Sequence, residues 1–188
     1  MRLRECLILE FEVLLECGGL CLCEMNEAAA RDIAEWRYPE EYSMYDFSGY
    51  EEEEKQLFNG LHFPVYEKEI GEFALVGFVS VGPAAQVVGR SSRKIYEDES
   101  ATDIGLGLRP DLCGQGKGLG LRLVELAVAF VKSEFPDDNV RLTVAAQNKR
   151  AVKVYERAGF VKTEEFRKMM PGVNGKKRPC RFVVMILK

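Results

Sequence analysis

The sequence predicts a mixed α/β (α+β) protein with a largely antiparallel front half, and three observations predict it. Strand-like segments recur at Leu20–Cys23, His62–Lys68, Glu72–Val81 and Thr102–Leu108, with β-branched and aromatic residues flanking a glycine turn in the middle two. Four alternate glycines, Gly114, Gly116, Gly118 and Gly120, then run directly into an amphipathic segment of helical period. Beyond it the pattern returns to strand, helix and two further strands. This order fits a central sheet of six to seven strands flanked by about four helices.

At 188 residues the chain suits one domain spanning 1–188 and can bury a proper core. Apolar content of 47% and charged content of 30% are ordinary for a soluble protein. The net charge of −4 argues against a nucleic-acid partner, which needs a basic face. No apolar run reaches the roughly 18 residues that span a bilayer, so no membrane partner is expected. Glu5, Glu10, Glu12 and Glu16 interrupt the apolar N-terminus, and no small-residue cleavage site follows. The expected location is therefore the cytoplasm, and a homodimer is left open.

Element by element, residues 1–18 read as a leading strand (Leu7–Leu15) or as an extension with little structure. Leu20–Cys23 follows as a short strand, and Asn26 can cap a helix reaching about Trp36, stopped by Pro39. Residues 38–60 read as irregular or weakly helical, aromatic and acidic, with seven acids and no Lys or Arg from Glu40 to Glu54. His62–Lys68 and Glu72–Val81 form a hairpin about Ile70-Gly71. Pro83–Ser100 is a long polar connection, of the kind that often lines sites.

Thr102–Leu108 ends at Arg109-Pro110. Leu119, Leu123, Leu126, Ala127, Phe130 and Val131 give one apolar helix face up to Phe135-Pro136. Val140–Ala146 is a buried strand, Asn148 opens a helix that closes at Gly159, and Phe160–Phe166 and Cys180–Leu187 are the last strands. Of the six cysteines, Cys17, Cys21 and Cys23 cluster without a CxxC pair, a fourth ligand or a histidine, so buried thiols and no metal are expected. His62 is the only histidine, which excludes a histidine-based triad or a two-histidine metal site.

Four alternate glycines weaken a helix start, each costing about 1 kcal/mol against alanine inside the helix. They make sense where the backbone must approach a ligand closely. A helix start offers unpaired N–H groups and partial positive charge, which suit a phosphate or pyrophosphate. The dinucleotide fingerprint GxGxxG fails, because its third glycine falls on Leu119 or Leu121. A P-loop also fails, because Asp111 stands at its first glycine and Gly118 follows Lys117.

Gln115-Gly116-Lys117-Gly118-Leu119-Gly120 fits Q/R-x-x-G-x-G/A at every position, and Asn148, Ala151, Tyr155, Gly159 and Phe160 follow at N-x-x-A-x-x-x-Y-x-x-x-G-F spacing. On these motifs the chain resembles the GNAT superfamily of N-acetyltransferases, over about residues 62–187. Trp36-Arg37-Tyr38 with Tyr42 and Tyr45 resembles a bacterial subgroup of it. A second register, counted from Pro110, puts Cys113 in the Arg/Gln position. The first keeps Leu119 and Leu123 on the buried helix face and is preferred.

The resemblance implies acetyl-CoA as cosubstrate and direct transfer of acetyl to an amine of a small molecule or peptide. It implies that backbone N–H groups of Gln115, Gly116, Lys117, Gly118, Leu119 and Gly120 hold the pyrophosphate. Leu106 and Leu108 would lie on a strand splayed from Val144–Ala146, with the pantetheine arm between them and an N–H near Leu108 polarising the thioester carbonyl. Asn148 would bind the pantetheine amides, cap its helix, or do both. Tyr155 would give a proton to the departing thiolate.

Asp103 is the first candidate for the base, with Glu72 and Glu97 behind it, and a water chain is the alternative. Lys149 and Arg150 read as a solvated helix end that could reach the 3′-phosphate. The acceptor should contact Trp36–Phe47 and Pro83–Ser100. A non-catalytic acyl-CoA-binding sensor is the alternative function, and a nucleotide switch is disfavoured by the failed P-loop.

Overall fold

The computed structural model describes residues 12–47, 56–69, 72–171 and 177–188. The start of the leading strand expected at Leu7–Leu15, the acids Glu51–Glu54, the turn Ile70-Gly71 and most of the loop after Pro171 lie outside the described residues. Strands are β1 (Val13–Cys17), β2 (Leu20–Cys23), β3 (His62–Glu69), β4 (Glu72–Val81), β5 (Ala101–Leu108), β6 (Asn139–Ala145), β7 (Phe160–Pro171) and β8 (Lys177–Leu187). Helices are α1 (Glu27–Ala34), α2 (Arg93–Tyr96), α3 (Leu119–Glu134) and α4 (Lys149–Arg157), with 3₁₀ turns at Glu40–Tyr45, Gly82–Ala85 and Pro110–Leu112.

The eight strands form one sheet, ordered β1-β2-β3-β4-β5-β6-β8-β7. The strand beyond the expected six to seven is β1. Gly18 and Gly19, at φ 58° and 79°, make the tight turn that folds Val13–Cys17 back onto β2. Residues 13–17 are thus part of the sheet and not an extension with little structure. Among the described strands every pair is antiparallel except β5–β6, whose crossover is α3.

Both faces of the sheet are covered. On one, α3 turns Leu119, Leu123, Leu126, Ala127, Phe130 and Val131 inward, as its spacing predicts, and the Phe63 and Phe130 rings meet at 5.0 Å. On the other, α1 buries Ala29, Ala30, Ile33 and Ala34 against β2–β4, and Asn26 accepts from the Ala29 N–H at 2.9 Å to start the helix. The connection expected to be a plain loop at 83–100 contains α2, and Ile95 packs with Phe166, Phe182 and Val184 over β6–β8. Cys21 and Cys23 are buried, and burial pushes the Cys23 thiol up to about 12.

Both faces of β6 are therefore core. Leu142, at the last rung shared with β5, is 2% exposed. Leu142→Ala should cost about 2–5 kcal/mol, read as a lower midpoint in urea unfolding with unchanged slope.

Candidate active site

Strands β5 and β6 share the rungs Ala101–Asn139, Thr102–Val140, Asp103–Arg141 and Ile104–Leu142, and pair no further. Strand β5 stays registered with β4 to Leu108, while β6 stays with β8 to Ala145. The two strands therefore diverge. Hydrogen-bond parity shows what faces the gap. The Arg109 N–H donates to the Val76 carbonyl at 2.9 Å, so Gly107 is the next residue turned to β4 and Leu106 and Leu108 are turned away from it. Their N–H groups point into the opening. From the other side, Ala146 donating to the Arg181 carbonyl leaves Thr143 and Ala145 facing the same gap.

The glycine turn sits at the mouth of this opening. Gly114, Gly116 and Gly118 take φ 77°, 72° and 75°, a left-handed conformation that side chains resist. Gly118 is the N-cap residue of α3 and offers no side chain to its first N–H groups. Among the described residues, the N–H groups from Gly114 to Gly120 have no acceptor in the protein. Leu119 and Leu123 are buried against the sheet and Lys117 is exposed. The Gln115 side chain donates to the Asp111 carbonyl at 2.6 Å and braces the turn.

Asn148 caps α4, accepting from the Ala151 N–H at 3.2 Å. Tyr155 follows two turns later, half-buried, its ring edge-on to Phe160 at 6.2 Å. Among the described residues its hydroxyl has no hydrogen-bond partner. Tyr38 and Tyr45 stand opposite, their rings edge-to-face at 6.4 Å, and the Tyr38 hydroxyl donates to the Leu108 carbonyl at 3.0 Å. Burial raises all three phenols above their ordinary value. Proximity to Tyr45 adds to this at Tyr155, whereas hydrogen bonds from Asn148 and the Ala145 backbone offset part of it at Tyr45.

Gap, turn and phenols line one cavity of about 850 Å³. Its cationic side chains are Arg109, Lys117, Arg122, Arg150 and Arg157, whereas Glu67, ion-paired to Arg122 at 2.5 Å, is its one described carboxylate. That balance suits a polyanionic ligand. Arg150 lies 5.0 Å over the Tyr42 ring and leans on Gly114, so it is part of the wall, while Lys149 is exposed outside it.

The model of the acetyltransferase (GNAT) family matches residues 28–160. The chain belongs to the GNAT acetyltransferase family. Two mycothiol acetyltransferases resemble part of it. That of Salinispora tropica is 36% identical over 95 residues, covering 48% of this chain and 30% of its own length. That of Streptomyces coelicolor is 35% identical over 94 residues, covering 49% and 29%. The chain thus spans under a third of the length of these relatives. Among solved structures, a GNAT-family acetyltransferase from Bacillus anthracis superposes with TM-score 0.66 at 17% identity, covering 94% of this chain and 97% of that one. A spermidine N-acetyltransferase from Vibrio cholerae, in complex with CoA and spermine, gives TM-score 0.63 at 19% identity, covering 89% and 95%.

Within this GNAT fold one expected role is corrected. Asp103, the first candidate for the base, is 2% exposed and does not line the cavity. Both its oxygens are taken: Arg141 donates to them at 2.7 and 2.9 Å, and Gln86 adds a bond at 2.9 Å. A carboxylate with both oxygens committed and no face on the cavity is not placed to take a proton from an amine bound there. Glu97 is exposed at the end of α2, also outside the lining, and Glu72 is the first residue of β4.

Arg141 instead organises the neighbouring loop. It donates to the Ile95 carbonyl at 2.6 Å and lies over the Tyr96 ring, whose hydroxyl meets Thr143 at 2.8 Å and accepts from Val87 at 3.1 Å. Sequence reasoning missed this pair, and the signal available was the Asp103–Arg141 match of two polar residues inside apolar strands. It also used His62 only to exclude other chemistries. The ring is buried, lines the cavity beside Phe78, and its Nδ1 lies 3.2 Å from Asn59 Oδ1.

Among the described residues no helix is long and apolar enough to cross a membrane, and no group of acids, cysteines and histidine is placed to hold a metal. Arg141→Met would leave the Asp103 carboxylate buried without its counter-ion. It should cost about 3–5 kcal/mol in urea unfolding; a loss below 1 kcal/mol would show that the pair does not anchor the loop.

Proposed function

We propose that the chain is an N-acetyltransferase moving acetyl from acetyl-CoA to an amine. One observation carries this reading: a row of N–H groups without acceptors, Gly114–Gly120, at the mouth of a gap between two diverging strands. A pyrophosphate accepts many hydrogen bonds and carries negative charge, so this turn and the α3 N-terminus fit it. Gln115, Gly116, Lys117, Gly118, Leu119 and Gly120 would hold it, with Arg122 and Arg150 nearby. An amide-bearing arm fits between β5 and β6 because the N–H groups of Leu106 and Leu108 face that space, as a third strand would require.

When bound, acetyl-CoA supplies an acetyl thioester. Transfer forms an N–C bond and breaks the C–S bond; the amine loses one proton and the sulfur gains one. Leu106 and Leu108 present backbone dipoles to the carbonyl oxygen at no cost in reorganisation. Tyr155 holds a proton at its hydroxyl that the sulfur can take. Its raised pKa keeps that proton on at every physiological pH, above the ordinary value of about 10. A thiol in water titrates near about 8.5, so this transfer runs uphill in water; the same burial raises a sulfur in the cavity and narrows the difference. Asn148 caps α4 and so fixes the helix that carries Tyr155. No carboxylate is assigned as base. Water reaching the cavity serves that step.

This reading takes residues 1–188 as one domain with its acceptor bound near Tyr38, Phe47 and Gln86. Tyr155→Phe should lower kcat about 100-fold with acetyl-CoA affinity unchanged, whereas Gly118→Asp should abolish acetyl-CoA binding in calorimetry. An unchanged rate in the first variant would remove Tyr155 as acid. Unchanged affinity in the second would overturn the phosphate assignment.

A further inference from the structure

The side of the cleft away from α3 is built from rings. On β5 the residues turned that way are Gly105 and Gly107, which leave the strand without side chains. A Cβ at Gly107 would collide with the Phe78 ring, and one at Gly105 would come within 3.4 Å of Ala85. The Phe78 ring therefore packs against bare backbone at Gly107. It sits 6.0 Å from Trp36, 5.7 Å from Phe47 and 6.4 Å from His62. Across the opening the Tyr38 and Tyr45 rings continue the wall to Tyr155, the residue placed at the leaving sulfur. Aromatic surfaces so arranged favour a flat partner, edge-on or offset.

Charge on this side is as informative. The cavity's one described carboxylate, Glu67, is committed to Arg122 beside Gly18, whose carbonyl also accepts from Arg122 at 3.2 Å. Asp103 is sealed by Arg141 and Gln86. Asp46 accepts from the Tyr38 N–H at 2.9 Å. Glu40 and Glu41 are exposed on the 3₁₀ turn and do not line the cavity. Among the described residues nothing on the aromatic side offers an anion to a second or third ammonium group. An apolar enclosure also favours the neutral form of a single amine, which is the form that attacks.

We propose that the acceptor is a primary amine on a short linker to an aromatic ring. This rests on the acetyl-transfer reading and is tested apart from it. Thiol release would be measured at saturating acetyl-CoA with 2-phenylethylamine, n-hexylamine and spermidine, and acetyl-CoA binding by calorimetry without acceptor. The expected result is kcat/KM for 2-phenylethylamine above both others by about tenfold or more. Phe78→Leu should raise the KM for 2-phenylethylamine by about tenfold with acetyl-CoA affinity unchanged; Phe47→Leu, at a half-buried position, carries the same test if the first variant fails to fold.

Spermidine used as well as or better than the aromatic amine overturns the proposal and leaves acetyl transfer standing. Equal use of n-hexylamine overturns the aromatic requirement. Acetyl-CoA binding with no release above background for any of the three overturns acetyl transfer to amines, and this proposal with it.

Discussion

Two parallel strands that part after four shared rungs govern the rest of the molecule. A parallel ladder normally continues until a strand ends, because each broken rung leaves an N–H and a carbonyl to find another partner. Here β5 follows β4 and β6 follows β8, and the sheet twist carries the two pairs apart beyond Ile104 and Leu142. The N–H groups of Leu106 and Leu108 turned into the opening are the consequence, while the Leu108 carbonyl finds the Tyr38 hydroxyl. Nothing in helix or strand propensity favours such a gap, so the surrounding structure must hold it open.

The Asp103–Arg141 pair sits at the root of the divergence, on its next-to-last rung. It closes the sheet below the opening and ties in the loop that bears Gln86 and Val87. The same two polar residues would be a liability if either lost its partner. Above the rung, Leu119, Leu123 and Val124 of α3 pack on one face, and the bare glycines of β5 leave the other to Phe78. One strand thus presents a thin, ligand-ready edge to both the glycine turn and the aromatic wall.

Much of this was legible in the residues. The alternation of glycines predicted close backbone approach, and three of them adopt φ values that would strain any side chain. The helical spacing of Leu119 to Val131 predicted the buried face of α3, and the distance from Asn148 to Tyr155 predicted one helix carrying both. Other features were not legible, for definable reasons. Asp103 reads as a strand-end carboxylate until its partner, far along the chain on β6, is known. The strand β1 depends on the Gly18-Gly19 turn, which is easily taken for the end of an apolar leader. Bare glycines at Gly105 and Gly107 acquire meaning only when Phe78 is seen across the ladder.

The central claim is that the backbone of the parted strand and the glycine turn is left unpaired to receive acetyl-CoA. Amide hydrogen exchange with and without acetyl-CoA reads those groups one by one. The account predicts rapid exchange at Leu106, Leu108 and Gly114–Gly120 in the free protein and slowing of about tenfold or more on binding. Acetyl-CoA binding that slows exchange elsewhere and leaves these amides unchanged would contradict it.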